Sequence, residues 1–219
     1  MLTRALVAIN VIVYLWEQFS GALTGDPSMV DHGALVGVLV QHGEWWRIVT
    51  SAFLHGSFLH ITFNMFALWQ VGSFVEMIYG TPRMAIIYVL SGLGSGLLIT
   101  YLTPTEPTIG ASGAIFGLFG ALVVAGIRLG KPGRDLLRQS TAIIVINLVI
   151  SFASPGISVA AHIGGLIAGL LCGFAVFRMP RPQPVIAQPV YAQRIDPRHD
   201  AGVVTIDQPA DDPPPVHPS

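Results

Sequence analysis

Six apolar stretches dominate this chain, each near the length of about 20 residues that a helix needs to cross a hydrocarbon core of about 30 Å. They run from Leu2 to Phe19, Ser57 to Ile78, Arg83 to Thr103, Ser112 to Leu129, Leu136 to Phe152 and Ala160 to Arg178, the fifth starting at either Leu136 or Arg138. The fold expected is an all-α membrane protein, a polytopic bundle of six transmembrane helices. Only 11% of the residues are charged, against about 25% in an ordinary soluble domain. The lipid bilayer is therefore the expected surroundings, and a net charge of −1 argues against a nucleic-acid partner.

Basic residues stay on the cytoplasmic side when spans insert. With a cytoplasmic amino terminus, Arg4, Arg83, the group Arg128, Lys131, Arg134 and Arg138, and the pair Arg178 and Arg181 all fall inside, leaving Arg47 alone outside. Both termini are expected in the cytoplasm. The first stretch reads as a span rather than a secretory signal, because no small-residue cleavage site follows Trp16-Glu17-Gln18 and one Arg makes a thin basic start. The single cysteine, Cys172, cannot form an intrachain disulfide and reads as a small packing residue. From Pro180 onward Pro, Gln and Asp replace aromatic residues, a composition too polar to bury a core. The expected organisation is a membrane domain over 1–178 and a Pro-rich disordered tail over 179–219, with Asp211 to Pro215 as a possible docking segment.

Strongly polar side chains inside a span cost a few kcal/mol by insertion scales, so each needs a reason. Those that stand out are His60, Asn64 and Glu76 on the second span, Ser112 opening the fourth, Asn147 on the fifth and His162 opening the sixth. Depth follows from the rise of 1.5 Å per residue. Ser112 and His162 each lie sixteen residues before a cytoplasmic arginine, Arg128 and Arg178, which puts both roughly 24 Å above the inner boundary. His60 and Asn64 come out at roughly 28 and 22 Å by the same count. A serine, two histidines and an amide thus share one layer near the outer face.

That layer suits acyl transfer. A serine hydroxyl needs a base to take its proton, and the tetrahedral intermediate needs donors for its oxyanion. His162 is the candidate base and Ser112 the candidate nucleophile. His60 and Asn64, at i and i+4 on one helix face, together with the backbone N–H of Ser112, are the candidate oxyanion hole. Gly110 and Gly113 flank Ser112 with little bulk, and a helix starting there presents unpaired N–H groups to an anion. Phe116, one turn on, is placed to pack on the His162 ring. No carboxylate is expected in the layer, so the reading is a dyad rather than a Ser-His-Asp triad.

Gly110-Ala111-Ser112-Gly113 resembles the GxSG block of the rhomboid family of intramembrane proteases, and His60-Ile61-Thr62-Phe63-Asn64 resembles its HxxxN motif. Ala161-His162-Ile163-Gly164-Gly165 through Gly169 is similar to its last helix, and Trp46-Arg47 to its WR pair. The resemblance covers about 1–178. It implies the six-helix form, a water-filled cavity open to the outside, and cleavage of transmembrane substrates by a serine-histidine dyad. Substrate helices would have to unwind locally, since helical carbonyls are already bonded.

Each feature also has a plainer explanation. Gly113, Gly117 and Gly120, and Gly165 with Gly169, suit close helix packing. Glu76 lies roughly 18 Å below Asn64 and is expected to bond backbone or loop groups. Asn147 reads as an interhelical hydrogen bond, His55 as a loop or interface residue, and Trp45, Trp46 and Arg47 as interfacial anchors. Leu35 to Val40 suggests a first loop dipping into the outer leaflet beside the site. A zinc protease would need His-Glu-x-x-His and an aspartyl protease two membrane aspartates; neither is present, so no metal or cofactor is expected. A catalytically silent relative would not need both Ser112 and His162. A channel would need a continuous polar path, whereas Ile115 to Ile127 and Ile163 to Phe177 carry no charge.

Overall fold

The computed structural model describes residues 1–24, 28–154 and 156–179. The expected tail beyond Met179, with the segment Asp211 to Pro215, lies outside the described residues. The helices are α1 (Leu2–Thr24), the short α2 (Ser28–Gly33), α3 (Gly37–Gln41) and α4 (Arg47–Thr50) of the first loop, then α5 (Phe58–Ala67), α6 (Ser73–Tyr79), α7 (Thr81–Leu102), α8 (Ser112–Leu129), α9 (Arg134–Ala153) and α10 (Val159–Val176). Among the described residues the only β pairing is one isolated antiparallel bridge, Leu35 to Thr108.

Among the described residues, five segments are long and apolar enough to cross a membrane: Phe58–Tyr79, Thr81–Leu102, Ser112–Leu129, Lys131–Ala153 and Val159–Val176. Helix α1, the expected first span, has 23 residues but carries Arg4, Asn10 and Glu17, and it is not one of the five. The exposed surface confirms the apolar setting. Phe63, Phe66, Phe74, Leu97, Val149 and Phe174 are all largely uncovered, an exterior that water would not tolerate and lipid would.

The second span is one rod with an irregularity that the sequence did not announce, a π-helical turn at Leu68–Gly72 joining α5 to α6. Gly72 in that turn lets α1 come close, since a Cβ there would meet the Thr3 side chain at 3.0 Å. Four residues later, Glu76 accepts hydrogen bonds from the backbone N–H of Leu2 (2.7 Å) and Thr3 (3.1 Å) and from the hydroxyls of Thr3 (2.8 Å) and Thr81 (2.7 Å). The first N–H groups of a helix have no partner of their own, so a carboxylate from α6 caps α1 and simultaneously holds the start of α7. Gly80, at φ +79°, makes the sharp turn between α6 and α7, and Pro82 follows where a helix start tolerates it.

Helix α8 is the centre of the bundle, with 13 of its 18 residues buried, and it packs on α7, α9 and α10. Helix α9 contrasts with it. Only Ser140, Ile144 and Ser151 are buried along its length. It begins at Arg134, two residues before the earlier of the two expected starts, after a 3-10 turn at Lys131–Gly133.

Arg47 corrects the reading of the first loop. It is 5% exposed, pairs with Glu44 at 2.6 Å and donates to the carbonyls of Asp31 and Ala34, each at 2.8 Å. It ties the loop together from inside, while Trp45 and Trp46 remain exposed. The loop is fastened to the segment before α8 through the Leu35–Thr108 bridge, and the N–H of Gly110 donates to the Ser51 carbonyl at 2.8 Å.

Candidate active site

The two helices that carry the histidines start on serine caps. Ser57 accepts from the N–H of His60 at 3.2 Å, and Ser158 accepts from the N–H of Ala161 at 3.2 Å. A side-chain cap fixes where a helix begins, and so places His60 and His162 in the first turns of α5 and α10. Ser112 is the first residue of α8, behind Ala111, and among the described residues no side chain caps that start. The N–H groups of its first turn are left available.

Helices α8 and α10 meet backbone to backbone. A Cβ on Gly165 would collide with the Gly113 carbonyl, one on Gly169 with the Gly117 carbonyl, and one on Gly120 would lie 2.8 Å from the Leu166 carbonyl. Small residues spaced at i and i+4 on both helices thus set their register. That register brings the Ser112 Oγ to 3.0 Å from the Nε2 of His162. Phe116 lies one turn along α8, its ring stacked on the imidazole with centroids 4.0 Å apart and 12° between planes. Gly113 also faces α7, where a Cβ would strike the Ser95 side chain.

On the other side of Ser112, His60 presses on the loop. A Cβ on Gly110 would sit 2.7 Å from the His60 Nε2, and Gly110 has φ +116°, so both space and backbone conformation call for glycine. Asn64 is buried, and its amide donates to the His60 carbonyl at 2.9 Å. One of its two N–H groups is therefore engaged within α5, and the other is free of that bond.

Three placements differ from expectation. His55 is fully buried rather than interfacial, and its ring meets that of His60 edge-on at 5.0 Å. Burial, with repulsion from His60 second, pushes its pKa down to about 4, against a smaller opposing pull from the Phe53 carbonyl. A carboxylate does lie near this layer. Glu17 of α1 is 8% exposed and accepts a long hydrogen bond, 3.5 Å, from the His55 N–H. Among the described residues Asn147 makes no interhelical bond. Its amide donates to the Ile143 carbonyl at 2.9 Å in the same helix, and its own carbonyl accepts from the Ser151 hydroxyl at 2.7 Å.

Ser151 itself escaped the sequence reading. Its Oγ lies 2.7 Å from the Nδ1 of His162. The available signal was the Asn147-x-x-x-Ser151 spacing, two polar residues on one face of an otherwise apolar span, which is easily dismissed because serine is common in membrane helices.

A model of the rhomboid domain matches residues 42–179. The chain belongs to the rhomboid family. It is a multi-pass membrane protein of that family, 36% identical over 175 residues to the rhomboid protease GluP of Bacillus subtilis, covering 80% of this chain and 34% of GluP. It is 31% identical over 207 residues to the rhomboid protease AarA of Providencia stuartii, covering 82% of this chain and 73% of AarA. RHOMBOID-like protein 5 of Arabidopsis thaliana is 37% identical over 171 residues, covering 75% of this chain and 54% of that protein. This rhomboid chain thus spans only about a third to a half of two of these relatives.

Proposed function

We propose that this rhomboid is an intramembrane serine protease that cuts transmembrane segments of membrane-protein substrates near their outer ends. The observation that carries the reading is the 3.0 Å approach of the Ser112 Oγ to the His162 Nε2, between residues fifty positions apart on two helices. The relatives named as proteases point the same way.

In this mechanism Ser112 attacks a substrate carbonyl as its proton passes to the Nε2 of His162. The oxyanion is received by the unpaired N–H groups at the start of α8, with His60 and the free amide N–H of Asn64 as further donors. His162 then returns the proton to the departing amine, leaving an acyl-Ser112 ester. Water repeats the cycle with His162 as base and frees the acid. Gly110 and Gly113 keep the approach to Ser112 clear. Substrate helices with Gly or Pro near the cut are preferred because they unwind at less cost. The distribution of Lys and Arg supports a multi-pass cell-membrane protein of bacterial type, with both termini in the cytoplasm and the site toward the outer face.

The test is cleavage of a generic transmembrane substrate after reconstitution, comparing wild type with Ser112→Ala and His162→Ala. Loss of cleavage in both variants at unchanged helix content supports the dyad. Cleavage that persists in Ser112→Ala rejects it.

A further inference from the structure

The site histidine touches a second hydroxyl that the dyad does not use. The Oγ of Ser151, on α9, lies 2.7 Å from the Nδ1 of His162 and also 2.7 Å from the carbonyl oxygen of Asn147, one turn back in its own helix. Ser151 is 3% exposed and His162 7% exposed, so water does not readily replace either contact.

A hydroxyl has one proton, and the two short contacts compete for it. The Asn147 carbonyl can only accept. If the Ser151 proton were given to Nδ1, the Ser151 oxygen would face the Asn147 oxygen at 2.7 Å with no hydrogen between them. If it is given to Asn147, a bond that serine commonly makes to the carbonyl four residues back in a helix, the Ser151 oxygen is left with lone pairs. It can then accept a proton only from an Nδ1 that carries one. Every group is satisfied in the second arrangement and one pair repels in the first.

Building on the protease reading above, we infer that Ser151 is a positioning residue that holds His162 in the Nδ1–H tautomer, so that its Nε2 lone pair faces the Ser112 hydroxyl. In the other tautomer Nε2 would carry the proton and could not take one from Ser112. A triad carboxylate performs the same service by accepting from the imidazole; here a helix carbonyl orients a neutral hydroxyl to do it, with no charge placed in the membrane. The same bond persists when His162 becomes imidazolium, since Nδ1–H is present in both states. Phe116 fixes the plane of the ring, and Ser151 fixes its protonation.

Two measurements on the full chain in detergent test this. In the first, 15N-labelled histidine rings are observed by NMR, with His162 assigned by its absence from a His162→Asn spectrum. Wild type is expected to carry its proton on Nδ1, and Ser151→Ala to show a mixture. A wild-type His162 protonated on Nε2 overturns the inference. In the second, cleavage by Ser151→Ala is expected to lose about 10- to 100-fold in kcat with little change in KM, and Ser151→Thr, which restores the hydroxyl, to recover most of it. Wild-type kcat in Ser151→Ala, or no recovery in a folded Ser151→Thr, counts against it. Should wild type cleave no substrate at all, the protease reading fails while the tautomer measurement still decides the role of Ser151.

Discussion

The imidazole of His162 lies parallel to the ring of Phe116, centroids 4.0 Å apart, while both of its nitrogens are held by serine hydroxyls at 3.0 and 2.7 Å. A ring gripped on one face and at both nitrogens has little freedom left. In the proposed mechanism general-base catalysis depends on that restriction, because a tilt that lengthens the Ser112 contact lowers the rate of proton transfer.

Removing the stacking partner should therefore loosen the base without touching its chemistry. An aromatic pair contributes about 0.5–1.5 kcal/mol beyond burial. Phe116→Ala is expected to lower kcat by about tenfold, and Phe116→Leu, which keeps bulk but offers no flat face, to fall between. Steady-state cleavage kinetics check this. Equal kcat in all three proteins would mean that the stack does not orient the ring.

The register of α8 against α10 should be intolerant of a single methyl group. Gly165→Ala would drive its Cβ into the Gly113 carbonyl, and overpacking of this kind costs about 1–3 kcal/mol. The variant is expected to have a lower thermal midpoint in detergent and to lose cleavage, because its strain is relieved by parting the two helices that carry Ser112 and His162. Leu171→Ala, at a side chain 68% exposed on the same helix, should keep both. A Gly165→Ala protein as active as wild type would show that the glycine contact does not set the catalytic distance.

Hydrophobic length and a few costly polar residues made much of this molecule legible in its sequence. The helical bundle follows from apolar length, and the family follows from motifs on three helices. The meeting of Ser112 and His162 was foreshadowed by equal counts along the sequence to Arg128 and Arg178. What stayed hidden depends on rotation about a helix axis or on contacts with loops, neither of which hydropathy encodes. Arg47 looked interfacial because its three acceptors come from Glu44 and from loop carbonyls. Asn147 looked interhelical because an asparagine in a span suggests a partner across an interface, yet its amide bonds its own helix. The π turn at Leu68–Gly72 left no mark on the apolar pattern. Ser151 was overlooked because its value lies in a lone pair aimed at His162.

Glu76 should matter for stability and not for chemistry. It accepts four hydrogen bonds that join α1 and α7 to α6, at the opposite end of the second span from His60. Glu76→Ala leaves the first N–H groups of α1 without acceptors, at a cost of about 3 kcal/mol, whereas Glu76→Gln keeps one carbonyl oxygen and loses less. Thermal unfolding in detergent should rank the three proteins in the order wild type, Gln, Ala. At temperatures where the variants remain folded, kcat should be close to wild type. A fall in kcat without a fall in midpoint would contradict the assignment.

His55 gives the fold a dependence on pH that can be isolated. Its ordinary pKa of 6.5 is lowered to about 4 in the folded protein, by burial first and by the neighbouring His60 second. The groups facing it are the His60 ring at 5.0 Å and the Glu17 carboxylate, 3.5 Å from its backbone N–H. The unfolded chain binds a proton at this residue more readily than the folded one, so stability rises with pH between the two values. The contribution is fully present above about pH 6.5 and is lost as pH falls toward 4, the loss reaching about 2 kcal/mol by pH 5. His55→Phe removes this titration and leaves those of His60 and Glu17 in place. Thermal midpoints measured from pH 7.5 to 4.5 should therefore fall more steeply for wild type than for the variant. Parallel curves would mean that His55 takes up its proton in the folded state as easily as in the unfolded one, and that its burial carries no electrostatic cost.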